Sequence, residues 1–204
     1  MDPRWRVARE AARLMYTRVA EEYKQAKELA GRNLGINSMP SNYEVAVELD
    51  ILAEEVEGDD RSKLILRLRE DALGVMKALA DFNPRLEGSV WRGTARKGSD
   101  IDITVHASIP EKVMARLGEA GFNIESAKEI TVTKQGSPRR SIHLTVRLED
   151  GEEAEVVVRP KEESEEVTRC EIFGDPKRGL TLPELENLMR GDPLRKFIPR
   201  SRRI

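Results

Sequence analysis

The chain has 204 residues, 35% of them charged and 4% aromatic, with 35 Lys and Arg set against 37 Asp and Glu. That near-neutral balance argues against a protein whose main task is to coat nucleic acid. The 39% of hydrophobic residues in periodic blocks exclude wholesale disorder, and the single Cys170 excludes an internal disulfide framework.

The chain opens Met1-Asp2-Pro3-Arg4-Trp5-Arg6, without the apolar core of a signal peptide. No apolar run approaches the ~18 residues of a membrane span, so a cytoplasmic globular protein is expected. Two Gln and six Asn stand beside abundant Glu, Lys and Arg, a bias that points to a thermophilic source.

The first eighty-odd residues read as helices. From Pro3 to about Arg32 apolar residues recur at helical spacing, Val7, Ala8, Ala11, Met15, Val19, Tyr23, Ala26 and Ala30 among them, with Gly31 and Gly35 as candidate stops. Ser41 and Glu44 form a capping-box pattern that opens a second helix to about Val56, ended by Gly58. A third runs from about Arg61 to Ala80 and stops before Pro84.

The period then changes. Ile101, Ile103 and Val105 alternate with polar neighbours, a strand signature. Pro110 to Ala120 predicts a short helix closed by Gly121. Three strands are expected over 127–134, 140–148 and 153–159, the last two joined by the turn Glu149-Asp150-Gly151-Glu152. Lys161 to Glu166 is acidic and reads as an exposed loop. Thr181-Leu182-Pro183-Glu184 begins a last helix, and the tail from Arg195 is basic. Three regions follow: a helical stretch over 1–83, a core over 84–160, and a loop, short helix and tail over 161–204.

The chemistry concentrates in the core. On a strand Asp100 and Asp102 share a face, with Cα atoms roughly 6.6 Å apart at ~3.3 Å per residue. Two carboxylates so placed can share hard divalent cations, which prefer oxygen ligands. Upstream, Gly88 allows close backbone approach, and the turn opened by Ser89 offers N–H and hydroxyl donors to phosphate. Arg92 is the nearest cation to neutralise that phosphate, while Arg96 and Lys97 read as ordinary basic surface. His106 and His143 fall in strand patterns without a second metal ligand at a telling spacing and read as structural, and Trp91 reads as packing beneath the turn.

Gly88-Ser89, ten residues, then Asp100-Ile101-Asp102 resembles the signature of the DNA polymerase beta-type nucleotidyltransferases. The version Gly88-Ser89-Val90-Trp91-Arg92-Gly93-Thr94 is especially similar to archaeal tRNA CCA-adding enzymes, and the whole chain looks like a short archaeal nucleotidyltransferase. The resemblance covers about residues 84–160. It implies an α+β fold in which a helical N-terminal region packs on a mixed sheet with flanking helices. It also implies a third carboxylate on a later strand, which falls on Glu155, with Glu153 as the next candidate. The family normally carries Asp there, so glutamate sets the carboxylate one methylene further out.

The implied reaction moves a nucleoside monophosphate from an NTP to an acceptor hydroxyl on RNA, protein or a small molecule, releasing pyrophosphate. Mg²⁺ or Mn²⁺ would be held by Asp100, Asp102 and Glu155, and the triphosphate by Gly88, Ser89 and Arg92. Two other readings stand beside this one. The first is a non-catalytic, antitoxin-like module that binds NTP or a partner. The second is an RNA-binding protein that uses the first helix and the basic tail.

Overall fold

The computed structural model describes residues 2–134, 137–149 and 151–199. The chain forms two compact units, one of residues 1–61 with 169–176 and 199–204, the other of residues 62–168 with 177–198. Its class is α+β, with N-terminal helices and a six-stranded mixed sheet flanked by helices. No helix among the described residues is long and apolar enough to cross a membrane.

The first unit holds α1 (Pro3–Tyr16), α2 (Tyr23–Leu34) and α3 (Asn42–Glu57). Asp2 caps α1, its side chain accepting from the Arg4 N–H at 2.9 Å, and Pro3 occupies the first turn, where its missing N–H costs nothing. The single helix expected to Arg32 is two helices. The chain leaves α1 at Thr17, Arg18 takes a positive φ of 57°, and Leu14 O accepts from both Val19 N and Ala20 N. The break works because Ala20, not Val19, fills the core: Ala20 is buried and Val19 is 56% exposed.

Gly31 is also not a stop. It lies inside α2, where a Cβ would come within 2.8 Å of Met39 Cε, and the helix ends at Gly35 in the left-handed conformation. The Ser41–Glu44 capping box is present as expected. The core of this unit is largely alanine, with Ala8, Ala11, Ala12, Ala26 and Ala30 packed with Val7 and Val45. Small side chains permit close helix approach. Arg61 is buried between the Asp50 and Glu54 carboxylates.

The second unit carries most of α4 (Asp59–Ala78), then β1 (Arg85–Glu87), α5 (Gly88–Arg92), β2 (Ile101–His106), α6 (Pro110–Glu119), β3 (Asn123–Lys134), β4 (Ser137–Arg147), β5 (Glu153–Arg159), β6 (Leu180–Thr181) and α7 (Leu182–Gly191). The sheet order is β3-β4-β5-β2-β1-β6, with β2 and β5 parallel and every other pair antiparallel. Strand β3 begins four residues before the expected start, because a register irregularity between Ile124 and Ser126 breaks its alternation.

The two faces of this sheet differ by the period-2 rule. Leu86, Ile101, Ile103, Val105, Leu144, Val146, Ala154, Val156 and Val158 form one core with Leu68, Val75 and Met76 of α4, Val113 and Leu117 of α6, and Leu185 and Leu188 of α7. The helices therefore cover one face. Their intervening neighbours, Glu87, Asp102, Glu155 and Thr145, fall on the other face.

Candidate functional site

Strand register assembles the site. Glu87 pairs with Asp102 across β1 and β2, Asp102 with Glu155 across β2 and β5, and Glu155 with Thr145 across β5 and β4. Ser126 of β3 extends the row, its hydroxyl donating to Thr145 Oγ1 at 2.9 Å. Directly paired residues place their Cβ atoms roughly 4.5–5.5 Å apart on one face. Three carboxylates thus stand side by side, with Asp100 two residues before Asp102 and exposed.

Like charges at that spacing repel, and burial strengthens the effect. The Asp102 carboxyl is pushed up to about 6, first by burial and then by Glu155, with Asp100 and Glu87 adding and Lys177 opposing. Two cationic or polar partners attend the row. Lys177 Nζ pairs with Glu87 Oε2 at 2.7 Å. His143 Nδ1 donates to Glu155 Oε1 at 2.8 Å, and its Nε2 shares a hydrogen bond with the Ser141 hydroxyl at 3.1 Å.

The Gly88–Ser89 turn adjoins the row directly. Gly88 follows Glu87 with φ +65°, and a Cβ there would overlap the Asp102 carboxylate. Only glycine meets both demands, the left-handed backbone and the contact. Gly88→Ala is expected to cost about 1–3 kcal/mol of stability and to displace Asp102. Equilibrium urea denaturation checks the first effect, and loss of any Mg²⁺-dependent rise in melting temperature checks the second.

Ser89 is half-buried in the first turn of α5, and its carbonyl accepts from Thr94 N. Arg92 is turned elsewhere. It is buried over the Trp91 ring at 4.3 Å, and its Nη1 donates to Phe197 O at 2.8 Å while Phe197 N donates to Arg92 O. Trp91 is buried, consistent with packing. Arg69 lies beneath the same turn, fully buried, donating to Val90 O and Trp91 O of α5 and to Pro193 O and Arg195 O of the C-terminal segment.

Glu153 shares the face of Glu155 but pairs with Arg147 at 3.2 Å. Of the residues singled out in the sequence, the fold therefore brings Gly88, Asp102 and Glu155 together. Glu87, His143 and Lys177 join them without a sequence signal beyond their residue type. The Arg200–Ile204 part of the basic tail lies outside the described residues.

The donor set around Asp102 is all oxygen, and its strained central carboxyl is the environment that a hard divalent cation relieves. The residues fit such a cation in chemistry. In the geometry seen, Glu155 is held by His143 and Glu87 by Lys177, and no three His, Cys, Asp or Glu side chains among the described residues converge to hold a metal.

No curated protein matches the chain. Among solved structures, a cytoplasmic RNA terminal U-transferase matches at 16% identity, TM-score 0.32, over 53% of this chain and 34% of that one. The Cid1 poly(U) polymerase matches at 21% identity, TM-score 0.34, over 53% and 35%. A MgGTP-bound form of Cid1 matches at 17% identity, TM-score 0.30, over 54% and 38%. The chain thus spans little more than a third of the length of these structures. Residues 71–165, a stretch that runs from within α4 past β5 and encloses the carboxylate row, match the family model of the nucleotidyltransferase domain.

Proposed function

We propose that the chain is a divalent-metal-dependent nucleotidyltransferase that moves a nucleoside monophosphate from an NTP to an acceptor hydroxyl on RNA, protein or a small molecule, with release of pyrophosphate. The observation that carries this reading is the row Glu87–Asp102–Glu155, built across three strands immediately beside the Gly88–Ser89 turn. Similarity of residues 71–165 to the nucleotidyltransferase domain supports it. The motif over 88–102 is similar to that of archaeal CCA-adding enzymes, which serve as a model for its chemistry.

Each residue has a role that follows from its place. Gly88 leaves the backbone open beside the carboxylates, and Ser89 offers a hydroxyl to a phosphate oxygen. Arg69 holds the turn from beneath through the Val90 and Trp91 carbonyl oxygens, and Arg92 ties it to Phe197 O, so its donors stay aimed. Asp100, Asp102 and Glu155 would hold Mg²⁺ or Mn²⁺, which when bound stabilises charge on the leaving pyrophosphate and acidifies the acceptor hydroxyl. Glu155 accepts the bond from His143 when the cation is absent, and Lys177 keeps Glu87 neutralised. Both pairs limit the repulsion around Asp102 in the resting protein.

A second reading has its own support. Because His143 and Lys177 already satisfy two of the carboxylates, the row could be a metal-free binding platform without turnover. One experiment separates the two. The protein is incubated with each labelled NTP, Mg²⁺ or Mn²⁺, and total RNA or cell extract, beside an Asp100→Asn/Asp102→Asn double variant. Transfer of label by the wild type alone is expected. NTP binding with no transfer under any condition would establish the binding platform instead.

A further inference from the structure

A cavity lies at the other end of β2 from the carboxylate row, within the same unit. Its volume is about 710 Å³, inside the range of ~300–1,000 Å³ typical of small-molecule sites. It opens where β2 ends at His106, four residues beyond Asp102, a distance of roughly 13 Å at ~3.3 Å per residue. None of the row residues Glu87, Asp102 and Glu155 lines it.

Two kinds of surface meet there. Phe82, Pro84 and Leu182 supply apolar wall, while Arg85, Lys112 and Lys161 supply positive charge. The acids on the lining are Asp81 and Glu165, and Asp81 is already held by Arg116. Lys112 and Lys161 have no ion-pair partner among the described residues. Arg85 gives one N–H to Arg178 O and keeps its others.

Helix α6 adds to this field. Ile109 and Lys112 at its start line the cavity, and no side chain caps its first N–H groups, so that end carries the positive pole of a ten-residue helix. His106 is held below its ordinary value, first by burial and then by Arg159, so at neutral pH it presents a neutral imidazole that both donates and accepts. Apolar wall, two lysines and a helix end without a side-chain cap line one cavity, complementary to an apolar ring that bears a phosphate.

We propose that this cavity binds a mononucleotide-sized ligand without a divalent metal, its ring against Phe82, Pro84 and Leu182 and its phosphate on Lys112 and Lys161. The site does not depend on the transfer reaction, and the two can be tested apart. AMP, UMP, adenosine and inorganic phosphate are titrated into the full chain in EDTA by calorimetry. At least one mononucleotide is expected to bind more tightly than adenosine and phosphate do.

Lys112→Glu/Lys161→Glu is expected to weaken that binding at least tenfold with an unchanged melting temperature, since both lysines are exposed. Asp100→Asn/Asp102→Asn is expected to leave it within twofold. Phe82→Ser should weaken the mononucleotides and leave inorganic phosphate unaffected. Failure of both mononucleotides to bind overturns the proposal. So does binding that survives the lysine reversal, or binding that the aspartate pair abolishes.

Discussion

Asp102→Asn is expected to reduce nucleotidyl transfer at least about 100-fold while making the metal-free protein more stable at neutral pH. The two effects have one cause. Asp102 sits centrally in the row, paired in register with Glu87 on one side and Glu155 on the other, and its carboxyl is raised to about 6 chiefly by burial. The unfolded chain releases that proton near pH 4, so between about pH 4 and 6 the folded protein binds more protons than the unfolded one. Stability contributed by this group therefore falls as pH rises through that window, and the cost is complete above 6.

Asparagine removes the charge and keeps the shape. The stability difference between variant and wild type should be near zero at pH 4 and grow to about 1–3 kcal/mol at pH 7, measured by urea denaturation in EDTA. Mg²⁺ should raise the melting temperature of the wild type and leave that of the variant unmoved. A wild type that is equally stable or more stable at pH 7 than the variant would mean that the row is not under electrostatic strain.

The largest loss of stability is expected at Arg69. This guanidinium is fully buried, and its N–H groups reach four carbonyls, at Val90, Trp91, Pro193 and Arg195. Burial lowers its pKa to about 10, with Asp192 opposing, so it remains charged at pH 7. Arg69→Met keeps much of the volume and strands all four acceptors. An orphaned buried acceptor costs about 1–3 kcal/mol, and partial relaxation keeps the sum near about 3–5 kcal/mol.

Arg69→Lys should recover only part of this loss, because an ammonium cannot span the planar fork of acceptors. Gly93 sharpens the point. It is left-handed at φ +70°, and a Cβ there would lie 2.8 Å from Arg195 O and 3.1 Å from Arg69 Nη2, so backbone and guanidinium are fitted to one another. A loss below about 1 kcal/mol for Arg69→Met would show that solvent replaces these bonds.

Local signals in the sequence were reliable where the physics is local. The Ser41–Glu44 and Thr181–Glu184 caps, the alternation of Ile101, Ile103 and Val105, and the hairpin between β4 and β5 all depend on residues within a few positions of one another. The break at Thr17–Glu22 carries no glycine or proline, and it exists because Ala20 finds a tertiary contact that Val19 does not. Gly31 looked like a stop because its packing partner, Met39, lies in another segment.

The site divides along the same line. Asp100 and Asp102 are legible from spacing, whereas Glu155 needed a family pattern. Glu87, His143 and Lys177 needed strand register and an ion pair. Arg92 looked available for phosphate because a sequence does not show which way a guanidinium turns, and here it turns to Phe197.

The parallel pairing of β2 with β5 has a kinetic consequence. Strands β3, β4 and β5 pair in chain order, but β2 meets β5 only after α6, β3 and β4 have been made. Contacts between such distant segments carry the loop-closure entropy of everything between them and tend to form late. Asp102 and Glu155 face each other only across that ladder. In refolding, the drop in proton release that marks a crowded Asp102 should accordingly appear with the slowest phase, after the hairpin is in place. A nascent or partly unfolded chain would then hold the separate acids, and the assembled row would exist only in molecules that have finished folding.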